Sequence, residues 1–232
     1  MNPVIVSSPE PVVLLGGVKP APSDLSEALN LGRLVVCADG GADHALAAGL
    51  KVAAVIGDMD SLSIAAREAF APVLHAISEQ DSTDFDKALR HIAAPLVLGV
   101  GFSGARLDHE LGSMAVLARH PDRRCILIGP DTIVVLCPPR LRLDLAEGTP
   151  VSLFPMADVG VRSTGLRWPT EGLRFAPDGR IGTSNAALGP EVGPVTLEPD
   201  APKMLLIMPR AGLGALVAAL QASDATWPVR AG

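Results

Sequence analysis

The stretch Ala53-Ala54-Val55-Ile56-Gly57-Asp58-Met59-Asp60-Ser61 joins a short apolar run to a pair of carboxylates. The apolar run has the length and composition of a buried strand, which we predict over Ala53 to Ile56. Asp58 and Asp60 are two residues apart, so in an extended segment both side chains leave the same face and can share one cation. For this motif alone, a Gly- and Asp-rich turn with solvated carboxylates is the alternative.

A second acidic motif, Gln80-Asp81-Ser82-Thr83-Asp84-Phe85-Asp86-Lys87, also follows an apolar run. Thr83 or Ser82 can cap a helix, and Asp84 and Lys87 then share one helical face. Amides at a helix start, a carboxylate and an ammonium group together suit a polyphosphate bound to Mg²⁺. The alternative is a capped surface helix with an ordinary ion pair.

Two glycine-rich segments are predicted to end strands near these motifs. Ala38-Asp39-Gly40-Gly41-Ala42 permits a backbone turn close to a ligand, and the segment from Gly101 to His109 places Arg106 and Asp108 at a helix entrance. Carboxylates gathered at the ends of neighbouring strands repel one another by roughly 1 to 4 kcal/mol per pair, so they need a cation between them. Mg²⁺ carrying a nucleotide phosphate meets that need.

The first part of the chain alternates runs of Val, Ile and Leu with helical patterns, which is typical of βαβ units. The predicted strands are Val12 to Leu15, Leu34 to Ala38, Ala53 to Ile56, Val73 to Ile77, Leu96 to Val100, Cys125 to Ile128 and Ile133 to Leu136. The apolar residues with helical spacing are Phe85, Leu89 and Ile92, then Leu107, Leu111 and Met114. We predict an α/β domain over residues 1–137, with a mostly parallel, Rossmann-like sheet and helices on both faces.

After Pro138-Pro139 the helical period largely disappears and short apolar runs are separated by Gly and Pro. The predicted strands are Arg140 to Leu145, Val151 to Phe154, Val159 to Ser163, Val192 to Leu197 and Met204 to Met208. Residues 138–232 are therefore predicted to form a C-terminal β-sandwich, with one short helix over Gly212 to Ala222.

The totals exclude several classes of protein. The 232 residues carry a formal net charge of −6, no block of Lys or Arg, no Tyr and 3% aromatic residues, which argues against a nucleic-acid partner. The start of the chain lacks the charged region of a signal peptide, and no apolar run is long enough for a membrane span. Three cysteines without metal spacing suggest buried thiols, so we expect a soluble cytoplasmic protein.

Together these motifs resemble the thiamin pyrophosphokinase family. The matching segments in the first half are residues 38–42, 57–61, 80–89 and 106–109, and those in the second half are residues 151–155, 164–169 and 183–185. The matches run in family order over most of the chain. Three positions, Asp43, Ala105 and Ser113, differ from the family pattern.

The resemblance implies transfer of a diphosphoryl group from ATP to the hydroxyethyl oxygen of thiamin, giving thiamin diphosphate and AMP. It implies Mg²⁺ held by Asp58, Asp60 and Asp84, and a homodimer formed through the β domain with sites between two subunits. The expected ATP-binding residues are Asp39, Gly40, Gly41, Thr83, Lys87 and Arg106. The expected thiamin-binding residues are Gln80, Asp81, Trp168, Ser184 and Asn185. The expected catalytic residues are Asp58, Asp60, Asp81, Asp84, Lys87 and Asp108.

Several alternatives stay open at this point. Either Asp81 or Asp108 could remove the hydroxyl proton, and Trp168 could be a core anchor of the sandwich rather than a stacking surface for the thiamin cation. The acceptor could be another flat heterocyclic alcohol, such as a pterin. A sensor that binds a nucleotide or thiamin without turnover is the alternative outside enzymes.

Overall fold

The computed structural model describes residues 3–104 and 106–229, which form two compact units. Unit 1 takes in the described residues up to Val116 together with Cys125–Pro130, and unit 2 takes in Leu117–Arg124 and the described residues from Asp131 onward.

Unit 1 contains eight strands, four complete helices and most of a fifth, α5, within its described residues. The strands are β1 Val6–Ser7, β2 Val12–Leu15, β3 Leu34–Ala38, β4 Ala54–Gly57, β5 Leu74–Ala76, β6 Ile92–Ala93, β7 Val97–Val100 and β8 Cys125–Ile128. The helices are α1 Pro22–Leu31, α2 Gly41–Ala47, α3 Ile64–Ala69, α4 Asp84–His91 and α5 Leu107–Arg119, with a 3₁₀ turn at Ala71–Val73. Six strands pair in parallel in the order β8-β7-β2-β3-β4-β5, and β1 pairs in parallel with β6.

The predicted strands of unit 1 are confirmed, with ends that differ by at most one residue. Every residue of β2, β4, β7 and β8 is buried, which explains their continuous apolar sequence, because parallel strands are covered on both faces. From β2 the chain adds β3, β4 and β5 on one side, whereas β7 and β8 lie on the other side of β2. In sheets with such a reversal of strand order, ligands bind beyond the carboxyl ends of the strands where the order reverses.

Glycines let the backbones after β2 and β7 approach each other. A Cβ added at Gly16 would overlap the carbonyl oxygen of Gly101 and lie 2.7 Å from Phe102 Cε1. Gly101 itself has φ +83°, a conformation that favours glycine. Gly17, next along the chain, has open space around the same position.

The apolar residues that indicated helix α5 do not mark its buried side in the first half. Leu107 and Leu111 are 69% and 56% exposed. The helix instead turns Ser113, Val116 and Leu117 inward, at i, i+3 and i+4. The spacing of apolar residues thus predicted the helix correctly, but it did not indicate which side of the helix is buried. The helical spacing of Phe85 and Leu89 in α4 does mark buried residues.

Within its residues up to 229, unit 2 contains eight strands, β9 to β16, helix α6 and the end of α5. The elements are β9 Thr132–Leu136, β10 Leu141–Leu143, β11 Pro150–Pro155, β12 Val159–Thr164, β13 Arg174–Phe175, β14 Gly182–Ala186, β15 Val195–Pro199, β16 Met204–Pro209 and α6 Leu213–Gln221, with a 3₁₀ turn at Arg210–Gly212. Within this unit β14, β11, β16 and β9 pair antiparallel in that order, and so do β10, β15, β12 and β13.

The last change of unit along the chain comes after Pro130, seven residues before the predicted boundary at Cys137. The reason is that β9 pairs over its whole length with β16, so its apolar sequence belongs to the C-terminal β domain. Strands β13 and β14 were not predicted, because β13 is two residues long and β14 is Gly-Thr-Ser-Asn-Ala. No helix in residues 3–104 or 106–229 has the length and apolarity to cross a membrane.

We predict that Gly16→Ala destabilises the protein by about 3 kcal/mol, because the new methyl group overlaps the Gly101 carbonyl. Gly17→Ala is the matched control and should change the free energy of unfolding by less than about 1 kcal/mol. Urea denaturation of both variants measures the difference, and equal stabilities would disprove the close approach.

Candidate active site

Three carboxylates meet at the carboxyl ends of β3 and β4. Asp39 follows β3, and Asp58 and Asp60 follow β4. One carboxylate oxygen from each of the three lies within 4.8 Å of the others. Because β3 and β4 are parallel neighbours, their carboxyl ends reach the same edge of the sheet. The predicted convergence of Asp58 and Asp60 is present, and the structure adds Asp39, which was expected as an ATP-binding residue.

Asp39 is the buried member of this carboxylate cluster. It is 2% exposed and has φ 37°, and its Oδ2 accepts a hydrogen bond of 3.0 Å from the amide of Ser61. Within the described residues its Oδ1 is buried without a hydrogen-bond partner. Burial raises the pKa of Asp39 to about 6, the Ser61 amide opposes that rise, and the charge of Asp84 adds to it. An unpartnered buried carboxylate oxygen is costly unless a ligand completes it.

Gly57 allows the acidic side chains to crowd together. A Cβ at this position would lie 2.8 Å from Asp39 Cβ and 3.0 Å from Asp84 Oδ1. The neighbouring carboxylates therefore occupy the space that any other residue's side chain would need. Gly57 belongs to the acidic motif in the sequence, but no local pattern indicates that its missing side chain makes room for the carboxylates.

Lys87 lies almost fully buried between two of the carboxylates. Its side chain is 1% exposed, and its Nζ lies 3.0 Å from Asp58 Oδ2 and 3.2 Å from Asp84 Oδ1. The hydrogen bond from Lys87 lowers the pKa of Asp58, whereas burial raises the pKa of Asp84 despite its contact with Lys87. Burial alone would lower the pKa of Lys87, but the two carboxylates raise it overall, so Lys87 is a cation at neutral pH.

Hydrogen bonds from Arg67 and Ser61 hold the loop that carries Asp58 and Asp60. Met59 is buried with φ 68°, and its carbonyl accepts a hydrogen bond of 2.5 Å from Arg67 Nη2 on α3. Ser61 Oγ donates to Asp60 Oδ1 at 2.8 Å. The Arg67 contact was not predicted, because Arg67 is eight residues from Met59 and lies in a different element.

Other predicted residues lie around the cluster in unit 1. Gln80 Nε2 donates to Asp58 Oδ2 at 3.3 Å. Thr83, rather than Ser82, caps α4, with its hydroxyl accepting from the amide of Asp86 at 3.3 Å. The cap thereby places Asp84 in the first turn of α4, which also carries Lys87.

The paired glycines at the start of α2 differ in what they do. A Cβ at Gly41 would overlap the carbonyl oxygen of Leu15, so this glycine lets α2 pack against β2. A Cβ at Gly40 would meet only Ser61, at 3.5 Å, which is ordinary contact. Asp43, which differs from the family pattern, accepts a hydrogen bond of 3.1 Å from the amide of Ser63, and this contact ties α2 to the residue that caps α3.

Arg106 and Asp108 pair with each other near the start of α5. Arg106 Nη2 lies 2.6 Å from Asp108 Oδ2, and both side chains are about two-thirds exposed. The hydrogen bond from Arg106 lowers the pKa of Asp108 to about 2. Across residues 3–104 and 106–229, no hydrogen bond or ion pair joins either side chain to the carboxylate cluster.

Ala105 lies outside the described residues, and Ser113 donates to the carbonyl of His109 at 2.9 Å.

Unit 2 has a separate cavity of about 150 Å³ beside Trp168. Trp168 is 56% exposed, so the reading of this residue as a core anchor is wrong. Asn185 also lines the cavity, and its amide holds the Trp168 backbone, accepting from Trp168 N at 3.1 Å and donating to Trp168 O at 2.7 Å. Ser184 has φ 65° at an irregularity between β14 and β11, and its amide donates to Ser152 Oγ. The cavity wall includes its neighbour Thr183.

Residues 25–128 match the family described as "Thiamin pyrophosphokinase, catalytic domain", and residues 139–202 match "Thiamin pyrophosphokinase, vitamin B1 binding domain". The chain belongs to the thiamin pyrophosphokinase family. The resemblance inferred from the motifs is thus confirmed. Transfer of a diphosphoryl group from ATP to thiamin is the chemistry that this family membership supports.

Individual thiamin pyrophosphokinases are similar over most of the chain. Thiamine pyrophosphokinase 1 of Arabidopsis thaliana is 29% identical over 188 residues, which span 66% of this chain and 70% of that protein. The solved thiamin pyrophosphokinase of Candida albicans has a TM-score of 0.71 at 15% identity, covering 90% of this chain and 94% of that one. The structure from Bacillus subtilis has a TM-score of 0.67 at 22% identity, covering 86% of this chain and 99% of that one. These likenesses establish the shared fold.

We predict that Lys87→Met lowers stability by about 3 kcal/mol in buffer free of divalent cations, because it leaves Asp58 and Asp84 without their shared cation. Adding Asp58→Asn to Lys87→Met should restore part of the loss. The exposed Lys51→Met serves as control and should unfold like the unsubstituted protein. A Lys87→Met variant as stable as Lys51→Met in urea denaturation would show that the buried pair is not needed.

Proposed function

We propose that this protein transfers the diphosphoryl group of ATP to the hydroxyethyl oxygen of thiamin, forming thiamin diphosphate and AMP. The observation that carries the proposal is the carboxylate cluster, in which buried Asp39 has an oxygen without a partner and Lys87 lies beside Asp58. A site with this charge distribution suits a divalent cation together with a polyphosphate.

The donor set fits Mg²⁺, which prefers carboxylate oxygens and keeps some water. We propose that Asp39, Asp58 and Asp60 hold it, since their oxygens lie within 4.8 Å of one another. Asp84 remains a fourth candidate, because its Oδ1 lies beside Gly57. When bound, Mg²⁺ neutralises phosphate charge and polarises the phosphoryl oxygens.

The chain's own residues mainly align and stabilise the reactants. Lys87 is a fixed cation beside the carboxylates and can stabilise charge that develops on phosphate oxygens. Thr83 caps α4, and we propose that it and the Gly40-Gly41 turn contact the nucleotide, with Arg106 as a further contact. Alignment of the thiamin hydroxyl with the β-phosphorus is then the larger part of catalysis.

Asp81 is the better of the two candidates for accepting the hydroxyl proton. The pKa of Asp108 is lowered to about 2 by its contact with Arg106, and so acidic a carboxyl group is a weak base. Asp81 belongs to the segment that also places Gln80 against Asp58. We propose that Gln80 and Asp81 face the thiamin side of the reaction.

We propose that unit 2 binds the thiamin rings at the cavity beside Trp168, with the protein a homodimer in which this cavity serves the partner's carboxylate cluster. The match of residues 139–202 to the vitamin B1 binding domain supports this proposal. An exposed indole can hold a flat cation by stacking and cation–π attraction. Asn185 would act by holding Trp168 in place, and Ser184 would contact thiamin directly.

Finer features of the fold and its setting are also proposed. The strand order of unit 1 supports a Rossmann-like sheet with helices on both faces, and the two antiparallel sheets of unit 2 support a sandwich. Cys37, Cys125 and Cys137 are free and buried, which is in keeping with a cytoplasmic protein.

Formation of AMP from ATP, thiamin and Mg²⁺ tests the proposal directly. The purified protein should release AMP only when thiamin is present. Equal AMP release without thiamin, or release with a pterin alcohol but not with thiamin, would refute it. Binding of thiamin and ATP without any AMP would identify a sensor instead.

We predict that Asp58→Asn lowers kcat by about a hundredfold or more, because it removes a proposed metal ligand and the partner of Lys87. Asp144→Asn makes the same chemical change at an exposed carboxylate of unit 2 and should keep full activity. Both variants are compared by AMP release at saturating thiamin and ATP. Near-normal turnover of Asp58→Asn would remove this carboxylate from the metal role.

For the thiamin side, Trp168→Ala should raise the KM for thiamin about 2- to 30-fold, the range expected from losing a cation–π contact. Trp168→Phe should recover part of that loss, and the KM for ATP should stay the same in both variants. Steady-state kinetics with each substrate varied in turn provides the measurement. An unchanged KM for thiamin in Trp168→Ala would exclude the indole from the binding site.

A further inference from the structure

A carboxylate outside the cluster organises the segment between β5 and α4. Glu79 Oε2 accepts hydrogen bonds from the backbone amides of Asp81 at 2.9 Å and Ser82 at 3.1 Å. Its other oxygen, Oε1, accepts from the Ser82 hydroxyl and from Arg90 Nη2, the latter at 2.7 Å. One side chain therefore fixes the backbone of the two residues that follow Gln80.

Arg90, in the last turn of α4, completes this arrangement. Its side chain is 18% exposed, and its Nη1 donates to Ser82 Oγ at 3.1 Å and lies 3.8 Å from Asp86 Oδ1. Its Nε points at His91 Nε2, 3.4 Å away. The planar guanidinium thus uses its donors in three directions, which the single ammonium group of a lysine cannot reproduce.

The segment fixed in this way is connected at both ends to the carboxylate cluster. Gln80 Nε2 donates to Asp58 Oδ2 at 3.3 Å, and Thr83 caps the helix that carries Lys87. Hydrogen bonds from Ser82 and Arg90 lower the pKa of Glu79 to about 2, so it is fully ionised at neutral pH. A shift of about 1 Å in such a segment can cost about a hundredfold in rate, because reacting groups must be aligned.

We propose that Glu79 and Arg90 are positioning residues that hold Gln80 and Asp81 at the acceptor side of the reaction, an inference that rests on the proposed function. Over the part of the chain that the structure describes, neither side chain has a hydrogen bond or ion pair to Asp58. The pair contacts the backbone of Asp81 and Ser82 directly and reaches Asp58 and Thr83 only through their neighbours in the segment. Its loss should therefore affect the orientation of the acceptor more than the binding of Mg²⁺ and nucleotide.

Glu79→Gln is the sharpest test, because it keeps the shape of the side chain and changes one oxygen to an NH₂ group. Whichever way the amide is turned, that NH₂ group faces at least one group that can only donate, either the amides of Asp81 and Ser82 or Arg90 Nη2. The expected result is a fall of about tenfold or more in kcat/KM for thiamin. The KM for ATP and the calorimetric affinity for Mg²⁺ with a nonhydrolysable ATP analogue should change less than about twofold.

Two further variants separate this role from a general loss of stability. Arg90→Lys keeps the charge but replaces the guanidinium fork, which contacts Ser82 through Nη1 and Glu79 through Nη2, with one ammonium group, so it should show part of the same selective loss. Glu198→Gln is the matched control, because Glu198 holds two arginine side chains, Arg162 at 2.8 Å and Arg140 at 3.4 Å. It should leave the kinetics of both substrates unchanged.

Amide hydrogen exchange supplies a readout that does not depend on activity. In Glu79→Gln the amides of Asp81 and Ser82 should exchange faster, while the rest of the protein keeps its protection. An unchanged kcat/KM for thiamin would overturn the proposal, and so would equal losses for both substrates with faster exchange throughout. If the unsubstituted protein forms no AMP from thiamin, the proposed function fails, while the exchange rates still decide whether Glu79 holds the segment.

Discussion

The repulsion between carboxylates crowded around Gly57 is the constraint on which the site depends. Like charges about 4 Å apart cost roughly 1 to 4 kcal/mol per pair near a protein surface, and burial increases that cost. Lys87 offsets the charge of Asp58 and Asp84 through contacts of 3.0 and 3.2 Å. Asp39 accepts a hydrogen bond from the Ser61 amide on one oxygen, and burial raises its pKa to about 6. The free protein thus keeps part of the repulsion, which a bound cation would relieve.

The parallel sheet makes this crowding possible. β3 and β4 are neighbours in register, so the residues that follow them reach one edge together. Helix α4 begins at that edge, and its cap fixes where Asp84 and Lys87 lie. Around this arrangement the chain uses residues without side-chain bulk, Gly57 among the carboxylates and Gly41 against β2. The glycines therefore let neighbouring backbone segments lie close together, and the carboxylates can then lie close together as well.

Local sequence was sufficient to predict much of this arrangement. The buried parallel strands, the cap of α4 and the pairing of Asp58 with Asp60 follow from rules that act within a few residues. The exposure of Leu107 could not be predicted, because apolar spacing indicates a helix but not which of its sides meets a neighbour. The Glu79–Arg90 contact spans 11 positions, so no local pattern reports it.

Contacts between distant segments account for the rest. Asp39 lies beside Asp58 and Asp60 because the ends of β3 and β4 are neighbours in the sheet. The sequence around Asp39 shows one carboxylate in a Gly-rich turn and does not indicate which other carboxylates lie near it. Strand β14 was missed since its polar residues and the irregularity opposite β11 hide the alternation expected of a strand. The exposure of Trp168 likewise depends on how the loop before β13 is held by Asn185.

We propose that Asp39, Asp58 and Asp60 together bind one divalent cation that carries a phosphate chain. Anomalous diffraction from crystals containing Mn²⁺ and a nonhydrolysable ATP analogue would locate that cation. We expect an anomalous peak about 2.1 Å from an oxygen of each of these three carboxylates, with phosphate oxygens completing the coordination. A peak elsewhere, with the three carboxylates bound only to protein and water, would rule out this metal site.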